Sequence, residues 1–449
     1  MLKGFIRRLG KKKSAKAKKA EPIIIPRKEH SISRNAINPH ALKVLYRLHN
    51  AGYSAYLVGG CVRDLLLGQQ PKDFDIATDA HPEDIRKLFK NCRLIGKRFR
   101  LAHIVFGKEI IEVATFRTHH HNAHEHHAKS SHQGMILRDN VYGDIEDDVW
   151  RRDFSINALY YNIADFSIVD YTGGMADIQA RLLRIIGDPE QRFQEDPVRL
   201  LRCVRFSGKL NIAISLETEN AMTRFTHLLQ HVSSARLFQE VLKFFQEGAT
   251  YHTFKLLQKY HLLEQLFPQT SACLVQIETQ ILLDEALKST DNRAREGKTV
   301  SPAFLFTVFL WRPIAAKTAH SDLPFYVALE QAIQIVLKSQ SERLAMTRIL
   351  TTSIREICLL QHYLTHNRGS RPYKTLEHPR FRAAYDLLLL RAKAGEPVHE
   401  LAHWWTQFQQ GDSQQKEKLL KQSPKPAQTK KRRSRQKKKT VSHKDLPTT

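Results

Sequence analysis

Two aspartates one residue apart, Asp73 and Asp75, lead into a short apolar run, and their side chains are well suited to chemistry. We predict a strand over residues 73–78, in which alternate side chains share a face and both carboxylates come together. Two like charges at that spacing are unfavourable unless a cation lies between them. Carboxylate oxygens suit Mg²⁺, which also binds substrate phosphates, and two such ions activate an attacking hydroxyl and stabilise a leaving oxygen.

Two glycines, Gly59 and Gly60, precede this pair and lie between a predicted strand over 54–58 and a predicted helix over 61–67. Because glycine has no Cβ, the backbone there can approach a phosphate, and the helix N-terminus adds N–H donors and a positive dipole. Arg63, one turn into the helix, can add a charge-assisted hydrogen bond. Alone, the two glycines could be an ordinary turn and the two aspartates an ordinary solvated edge. Together, the two motifs predict a polyphosphate site.

Asp196 and Arg199 are three residues apart around Pro197, which fits the first turn of a helix. At that spacing both side chains lie on one helical face. A carboxylate accepts a hydrogen bond from an amino group and a guanidinium donates one to a ring nitrogen, and adenine presents both groups on its Watson–Crick edge. The pair therefore predicts recognition of a base without a template. The alternative is a surface salt bridge of little energetic value.

These motifs resemble the signature of the class II nucleotidyltransferases, the family of bacterial poly(A) polymerases and CCA-adding enzymes. The resemblance covers roughly residues 38–250 in matching order. The matching segments are Gly59-Gly60-x-Val62-Arg63-Asp64, Asp73-x-Asp75, Arg151-Arg152-Asp153-Phe154-Ser155-Ile156-Asn157 and Glu195-Asp196-Pro197-x-Arg199-x-x-Arg202. Residues 92–103, residues 137–140 and the basic C-terminus are most similar to the poly(A) polymerases of the family.

The resemblance implies a polymerase-β-like α/β head followed by an all-helical neck and body. It implies transfer of AMP from ATP to an RNA 3′-hydroxyl with release of pyrophosphate, at two Mg²⁺ ions held by Asp73 and Asp75. It also implies that Asp196 and Arg199 read the incoming base and that Asn157 holds the ribose. The residues expected to bind ATP are Gly59, Gly60, Arg63, Arg152, Asn157, Asp196, Arg199 and Arg202.

The resemblance also implies a third active-site acid, at Asp153. Glu112 is a second candidate on physical grounds, because it lies in the apolar strand predicted over 110–114, where an unpaired carboxylate is costly. Polymerase-β-like folds often take a third acid from such a strand, and pairing of Glu112 with an arginine is the ordinary alternative. We expect Asp153 to be the third active-site acid and Glu112 to be a supporting residue that does not contact the substrate directly.

Two other functions compete with poly(A) addition. A CCA-adding enzyme would use the same chemistry with CTP as well as ATP, but the long insert over 117–139 and the basic tail favour the polymerase. The sequence also has no His-Asp dipeptide to indicate an appended phosphohydrolase domain. A non-catalytic RNA-binding protein would not need Asp73, Asp75 and Asp153 intact. We therefore predict a template-independent enzyme that adds AMP to RNA 3′ ends and promotes RNA turnover.

An α/β region followed by helices must position these residues. Asn38 and Pro39 begin a predicted helix that Gly52 ends, and a helix is also predicted over 82–88. Strands over 101–106 and 109–116 are predicted to form a hairpin. This order predicts a mixed sheet with helices packed against it. From Glu195 the strand signals fade, and we predict helices over 197–210, over 235–246 and on to about residue 410.

The pattern divides the chain of 449 residues into five segments. They are a basic N-terminal arm (1–30), the nucleotidyltransferase head (31–186), a helical neck with the base-recognition motif (187–250), a helical RNA-binding body (251–410) and a disordered basic tail (411–449). The tail is rich in Lys, Arg, Pro, Gln and Ser, a composition that cannot form a core.

Charge is concentrated at the two ends of the chain. Residues 1–20 carry nine Lys and Arg and no acid, and residues 421–449 carry eleven against one acid, within a net charge of +26. Basic ends of this kind bind polyphosphates, either nucleic acid or an anionic membrane surface, and we favour RNA. The expected partners are single-stranded RNA 3′ ends, ATP and RNA-decay proteins.

Other sequence features indicate a cytoplasmic protein. No run approaches the ~18 consecutive apolar residues of a spanning helix, so we expect no stable membrane insertion. Five scattered cysteines without a Cys-x-x-Cys pair are typical of reduced thiols. Seven histidines within residues 119–132 lack strong metal-site spacing, and we interpret them as a polar surface loop.

Deletion of residues 423–449 should weaken binding to long RNA and flatten its salt dependence. Residues 430–439 contain eight cations, and each phosphate neutralised on a single strand contributes roughly −0.7 to the slope of log affinity against log salt. The measurement is RNA affinity across a salt series for both forms. Identical slopes would assign the tail to a partner other than RNA.

Overall fold

In the computed structural model, residues 21–96, 100–118 and 141–422 are described in full, and residues 128–130 and 136–139 as backbone alone. The first 20 residues, the histidines of the insert and the tail from residue 423 lie outside this part. The predictions made for them therefore stay predictions.

The head is built on a mixed sheet. The strands in chain order are β1 Ile23–Ile25, β2 Ala55–Val58, β3 Asp75–Thr78, β4 Cys92–Ile95, β5 Leu101–Phe106, β6 Glu109–Thr115, β7 Ala128–Ser130, β8 Ile136–Asp139, β9 Leu159–Asn162, β10 Ile168–Asp170, β11 Leu182–Leu183 and β12 Ala213–Ile214. Eight of them form one sheet in the order β1-β10-β9-β2-β3-β6-β5-β4, while β7 pairs with β8 and β11 with β12. Neighbours in the large sheet are antiparallel except β3 and β6. The predicted mixed sheet and the β5–β6 hairpin are confirmed.

Helices cover the sheet because its strands are apolar on both faces. The helices of the head are α1 Pro39–Asn50, α2 Gly60–Leu66, α3 Pro82–Leu88, α4 Ile145–Arg151 and α5 Gly174–Ala180. The Asn38 side chain accepts hydrogen bonds from two backbone N–H groups and starts α1, as predicted. On β2, Leu57 packs into one buried cluster with α1 to α3, and Val58 packs into a second with α4, as alternation along a strand requires.

After the head, the regular elements of the described chain up to residue 422 are helices, apart from the two residues of β12. The helices are α6 Pro189–Glu195, α7 Val198–Leu210, α8 Leu216–Phe225, α9 Ser234–Gln246, α10 Thr250–Lys259, α11 Leu263–Leu266, α12 Pro268–Cys273, α13 Ile277–Arg295, α14 Pro302–Ala319, α15 Phe325–Arg343, α16 Arg348–Leu364, α17 Arg371–Leu376, α18 Phe381–Lys393, α19 His399–Gln410 and α20 Ser413–Gln422. One buried cluster runs from Phe154 of the head to Phe408 of α19. The predicted fold class, an α/β head followed by helices, is confirmed.

The structure corrects three predicted boundaries. Ile23–Ile25, assigned to the N-terminal arm, pairs with β10 as the edge strand of the head. Ser413–Gln422, assigned to the disordered tail, is helical because Leu419 and Leu420 pack against the body. The strand expected from residue 73 begins at Asp75, because its partner β2 ends at Val58.

Two further expectations concern cysteines and membranes. All five cysteines are unpaired, as predicted. Among the helices of the described chain, none has the length and apolar character needed to cross a bilayer.

Candidate active site

Three acids meet at the edge where β3 begins. Asp75 opens β3, and its register partner on the parallel strand β6 is Glu112. Asp73 lies two residues earlier, and both aspartates are exposed while the residue between them is buried. On its other side, β6 pairs with β5, and Glu112 is opposite His103 there. The distance from His103 Nε2 to Glu112 Oε1 is 3.4 Å. We call Asp73, Asp75 and Glu112 the acidic row.

Burial and the neighbouring acids favour the protonated form of Asp75, although Arg152 opposes them. Although Asp75 is exposed, the protein around it removes much of its water, and this effect with the charges of Glu112 and Asp73 raises the pKa of Asp75 to about 6. Oxygen ligands that repel one another are a suitable donor set for Mg²⁺. Within the described residues, no group of three or more His, Cys, Asp or Glu side chains is arranged to hold a metal ion by itself. Mg²⁺ is commonly bound by one or two carboxylates together with substrate phosphates.

Asp153, the expected third acid, lies in a different neighbourhood. Its carboxylate accepts hydrogen bonds from Arg202, with Nε 2.7 Å away, and from the Asn157 side chain at 3.4 Å. Burial opposes ionisation, but Arg202 outweighs it and lowers the pKa of Asp153 to about 2. The acid adjacent to Asp75 is therefore Glu112, whose partner is His103 instead of the arginine considered above.

The glycine turn faces an anchored arginine. Gly59 has φ +79°, and a Cβ added there would lie 3.5 Å from Arg152 Nη1. Tyr160 Oη accepts a hydrogen bond from Arg152 Nε at 2.7 Å, and Asp148 Oδ2 accepts one from Nη2 at 2.9 Å. Burial alone would lower the pKa of Arg152, but Tyr160 and Asp148 raise it. A fixed cation thus lies against the open backbone of the turn.

The side chain of Arg63 has protein partners, and its predicted phosphate contact stays a prediction. Its side chain is buried, Nε donates to Asp64 Oδ1 at 2.8 Å, and Nη1 donates to Asn157 Oδ1 at 2.7 Å. The Asn157 amide is thereby bonded to protein on both atoms, to Arg63 and Asp153. These contacts form a continuous series from α2 to α7, Arg63–Asn157–Asp153–Arg202, which we call the arginine chain.

A cavity of about 430 Å³ contains the predicted base-reading pair. Arg236 Nη2 donates to Asp196 Oδ2 at 2.8 Å, and Arg199 Nη1 donates to Glu195 Oε2 at 3.1 Å. Each member of the pair therefore has its own partner, so the salt bridge between Asp196 and Arg199 offered as the alternative is wrong. Burial opposes ionisation of Asp196, but Arg236 lowers its pKa and keeps it an acceptor.

The second wall of this cavity was missed by the sequence analysis. It comes from α9, which contributes Arg236, Gln239, Glu240 and Lys243. Polar side chains spaced three or four residues apart on an otherwise amphipathic helix were the available signal. Only the fold shows that this polar stripe faces Asp196, because 40 residues separate the two partners.

Three family models match the chain. A "Poly A polymerase head domain" matches residues 55–184, a "Probable RNA and SrmB-binding site of polymerase A" matches residues 211–274, and a "Polymerase A arginine-rich C-terminus" matches residues 321–439. The head match includes the acidic row, the glycine turn and Asp153.

Whole-chain comparisons agree with these matches. The chain is 48% identical to poly(A) polymerase I of Salmonella typhimurium over 92% of both chains, and 38% identical to the CCA-adding enzyme of Bacillus subtilis over 50% of this chain and 55% of that one. The solved structure of the Thermotoga maritima CCA-adding enzyme complexed with tRNA is similar in fold, with a TM-score of 0.57, 20% identity and 86% coverage of each chain.

Asp75→Asn and Glu112→Gln should each lower kcat by about three orders of magnitude, because each removes a charge that would bind metal and preserves the shape. Extension of an RNA primer with ATP measures this. Glu109→Gln on the same strand is the matched control and should behave as the parent. A folded Glu112→Gln variant that extends RNA at the parent's rate would contradict this assignment. If Asp153→Asn then lowers kcat by about three orders of magnitude, Asp153 is the third acid.

Arg63→Lys should lower the midpoint of thermal unfolding by several degrees, because one ammonium cannot replace a fork that bonds both Asp64 and Asn157. Circular dichroism melting measures the effect. An unchanged midpoint combined with a higher KM for ATP would return Arg63 to the phosphate site.

Proposed function

We propose that this chain, which belongs to the poly(A) polymerase family, transfers AMP from ATP to the 3′-hydroxyl of RNA. The transfer needs no template and releases pyrophosphate. The observation that carries the proposal is the adjacency of Asp75 and Glu112 across β3 and β6, at the sheet edge where the glycine turn begins. A nucleotidyl transfer needs acidic oxygens, a phosphate cradle and a base pocket. The acidic row, the glycine turn with Arg152 and the cavity around Asp196 and Arg199 are suited to these three tasks.

In the reaction, the RNA 3′-oxygen bonds to the α-phosphorus of ATP and the bond to the pyrophosphate oxygen breaks. Asp73, Asp75 and Glu112 would hold Mg²⁺, which when bound supplies activation of the hydroxyl and charge stabilisation at the leaving oxygen. The Gly59–Gly60 backbone and Arg152 bind and orient the triphosphate. Because Arg152 is anchored before substrate arrives, little reorganisation is needed as negative charge develops on the pyrophosphate.

Asp196 and Arg199 would select the base. An ionised carboxylate only accepts hydrogen bonds and a guanidinium only donates them, which matches the amino group and ring nitrogen of adenine. Uracil and guanine present the opposite order at this edge and would leave both protein groups unpaired. Cytosine presents the same order as adenine, so discrimination against CTP rests on the positions at which Arg236 and Glu195 hold the pair.

Two alternatives are weaker. A CCA-adding enzyme shares the pocket chemistry, but the curated relative of that name matches about half of the chain, whereas the poly(A) polymerase matches 92%. A non-catalytic RNA-binding protein does not account for an intact acidic row. We further propose that the enzyme acts in the cytoplasm on single-stranded 3′ ends, together with RNA-decay proteins, and that residues 251–410 form the RNA-binding body.

The experiment is to incubate the protein and Mg²⁺ with an unrelated single-stranded RNA and with a tRNA lacking CCA, offering each nucleotide singly. We expect long extension of both RNAs with ATP and little with CTP, GTP or UTP. Addition of CMP to the tRNA alone, with a single later AMP, would establish the CCA-adding alternative.

Arg199→Lys should reduce the preference for ATP over the other nucleotides by at least about tenfold, because a point charge cannot reproduce the planar donor. The kcat/KM values for four nucleotides measure this. Arg224→Lys, an exposed arginine outside the cavity, is the control. A uniform loss for all four nucleotides would move Arg199 to phosphate binding.

A further inference from the structure

A groove of about 480 Å³ lies on the body, outside the active site, between α16 and α17. One wall carries the rings of His362, Tyr363 and His366, and the other carries Arg371 and Lys374. Its volume falls in the range of about 300–1,000 Å³ that holds a ligand of nucleotide size. The family model whose description names RNA covers residues 211–274, and the residues that line this groove lie outside that range.

The rings of this wall pack against one another and against Tyr326 of α15, which lies outside the groove. The His362 ring lies 5.3 Å from Tyr326 and 4.7 Å from His366 between centroids, and Tyr326 lies 6.2 Å from Tyr363. Tyr363 is 43% exposed, although tyrosine usually contributes its ring to packing. Burial and the neighbouring His366 lower the pKa of His362, which favours the neutral ring.

The opposite wall is positively charged. Arg371 and Lys374 are exposed, and within the described part of the chain neither takes part in an ion pair. The residues that line the groove include no carboxylate among those described. On the neighbouring helix α15, Glu330 is already paired with Arg355.

We propose that this groove binds single-stranded RNA, with an unpaired base stacked on the Tyr363 wall and the adjoining phosphate against Lys374 and Arg371. An exposed tyrosine ring in one groove with two cations matches the alternation of base and phosphate along a single strand, and stacking tolerates any base. The proposal rests on the function proposed above, because the body would bind the same RNA molecule whose 3′ end the active site extends.

The test is equilibrium binding of the full-length protein to a labelled oligo(A) of about 20 nucleotides, without ATP, across a salt series. Tyr363→Ala should weaken binding about tenfold with an unchanged salt slope, because stacking involves no counterion release. Lys374→Gln should reduce the magnitude of the slope by about 0.7, because one phosphate contact is lost. In primer extension both variants should raise KM for RNA and leave kcat and KM for ATP unchanged.

Matched controls are available on the same part of the body. Tyr373→Ala removes a ring that is 37% exposed and packs on Phe408, and Lys338→Gln removes an exposed lysine of α15 outside the groove. Both should bind RNA as the parent does. If Tyr363→Ala unfolds, the exposed Lys374→Gln still decides the question through its slope.

Three results would overturn the groove assignment: binding by both groove variants within twofold of the parent, an equal loss for duplex RNA, or a fall in kcat instead of affinity. Because binding is measured without ATP, its outcome is separable from the proposed function. Absence of AMP transfer by the parent would defeat that function alone.

Discussion

The ion pair between Asp153 and Arg202 is the contact on which the site depends, because it joins the head to the first long helix of the neck. Through Asn157 it continues to Arg63 and so to the helix that begins at the glycine turn. The pair is partly buried, with side chains 31% exposed at Arg202 and 12% at Asp153, so loss of one partner leaves a charge that only part of the surrounding water can compensate. The glycine turn and the helix that carries Arg199 and Arg202 are therefore linked by one series of side-chain hydrogen bonds.

Around this pair the site holds opposite charges in separate places. The carboxylates of the acidic row lie close to one another. Several arginines lie close to one another around Arg151 and Arg152. Burial and the neighbouring Arg117, Arg152 and Arg192 lower the pKa of Arg151 to about 9. In the function proposed above, a divalent cation would relieve the repulsion among the acids and a triphosphate would relieve the repulsion among the arginines, so the protein would be complementary to the substrate complex before substrate binds.

Sequence patterns predicted the elements whose signals are local. A few neighbouring residues were enough to predict the Asn38 cap, the helix over Pro82–Leu88 and the β5–β6 hairpin. The pairing of Ile23 with Asp170 joins residues far apart in the chain, and no local pattern reports it. The same limit explains the site: Glu112 lies beside Asp75 only because β6 runs parallel to β3, and α9 faces Asp196 only because the neck folds back. Arg63 was assigned to phosphate by its type, whereas the fold encloses it.

The most direct test of this account is a double-mutant cycle on Asp153→Asn and Arg202→Gln, measured as kcat/KM for ATP during extension of a short RNA primer. If the pair acts as one unit that joins the two halves of the site, the double variant should be about as impaired as the worse single variant, with a coupling energy of about 1–3 kcal/mol. Independent, additive losses would contradict the account, because they would mean that the head and the neck contribute to the site separately.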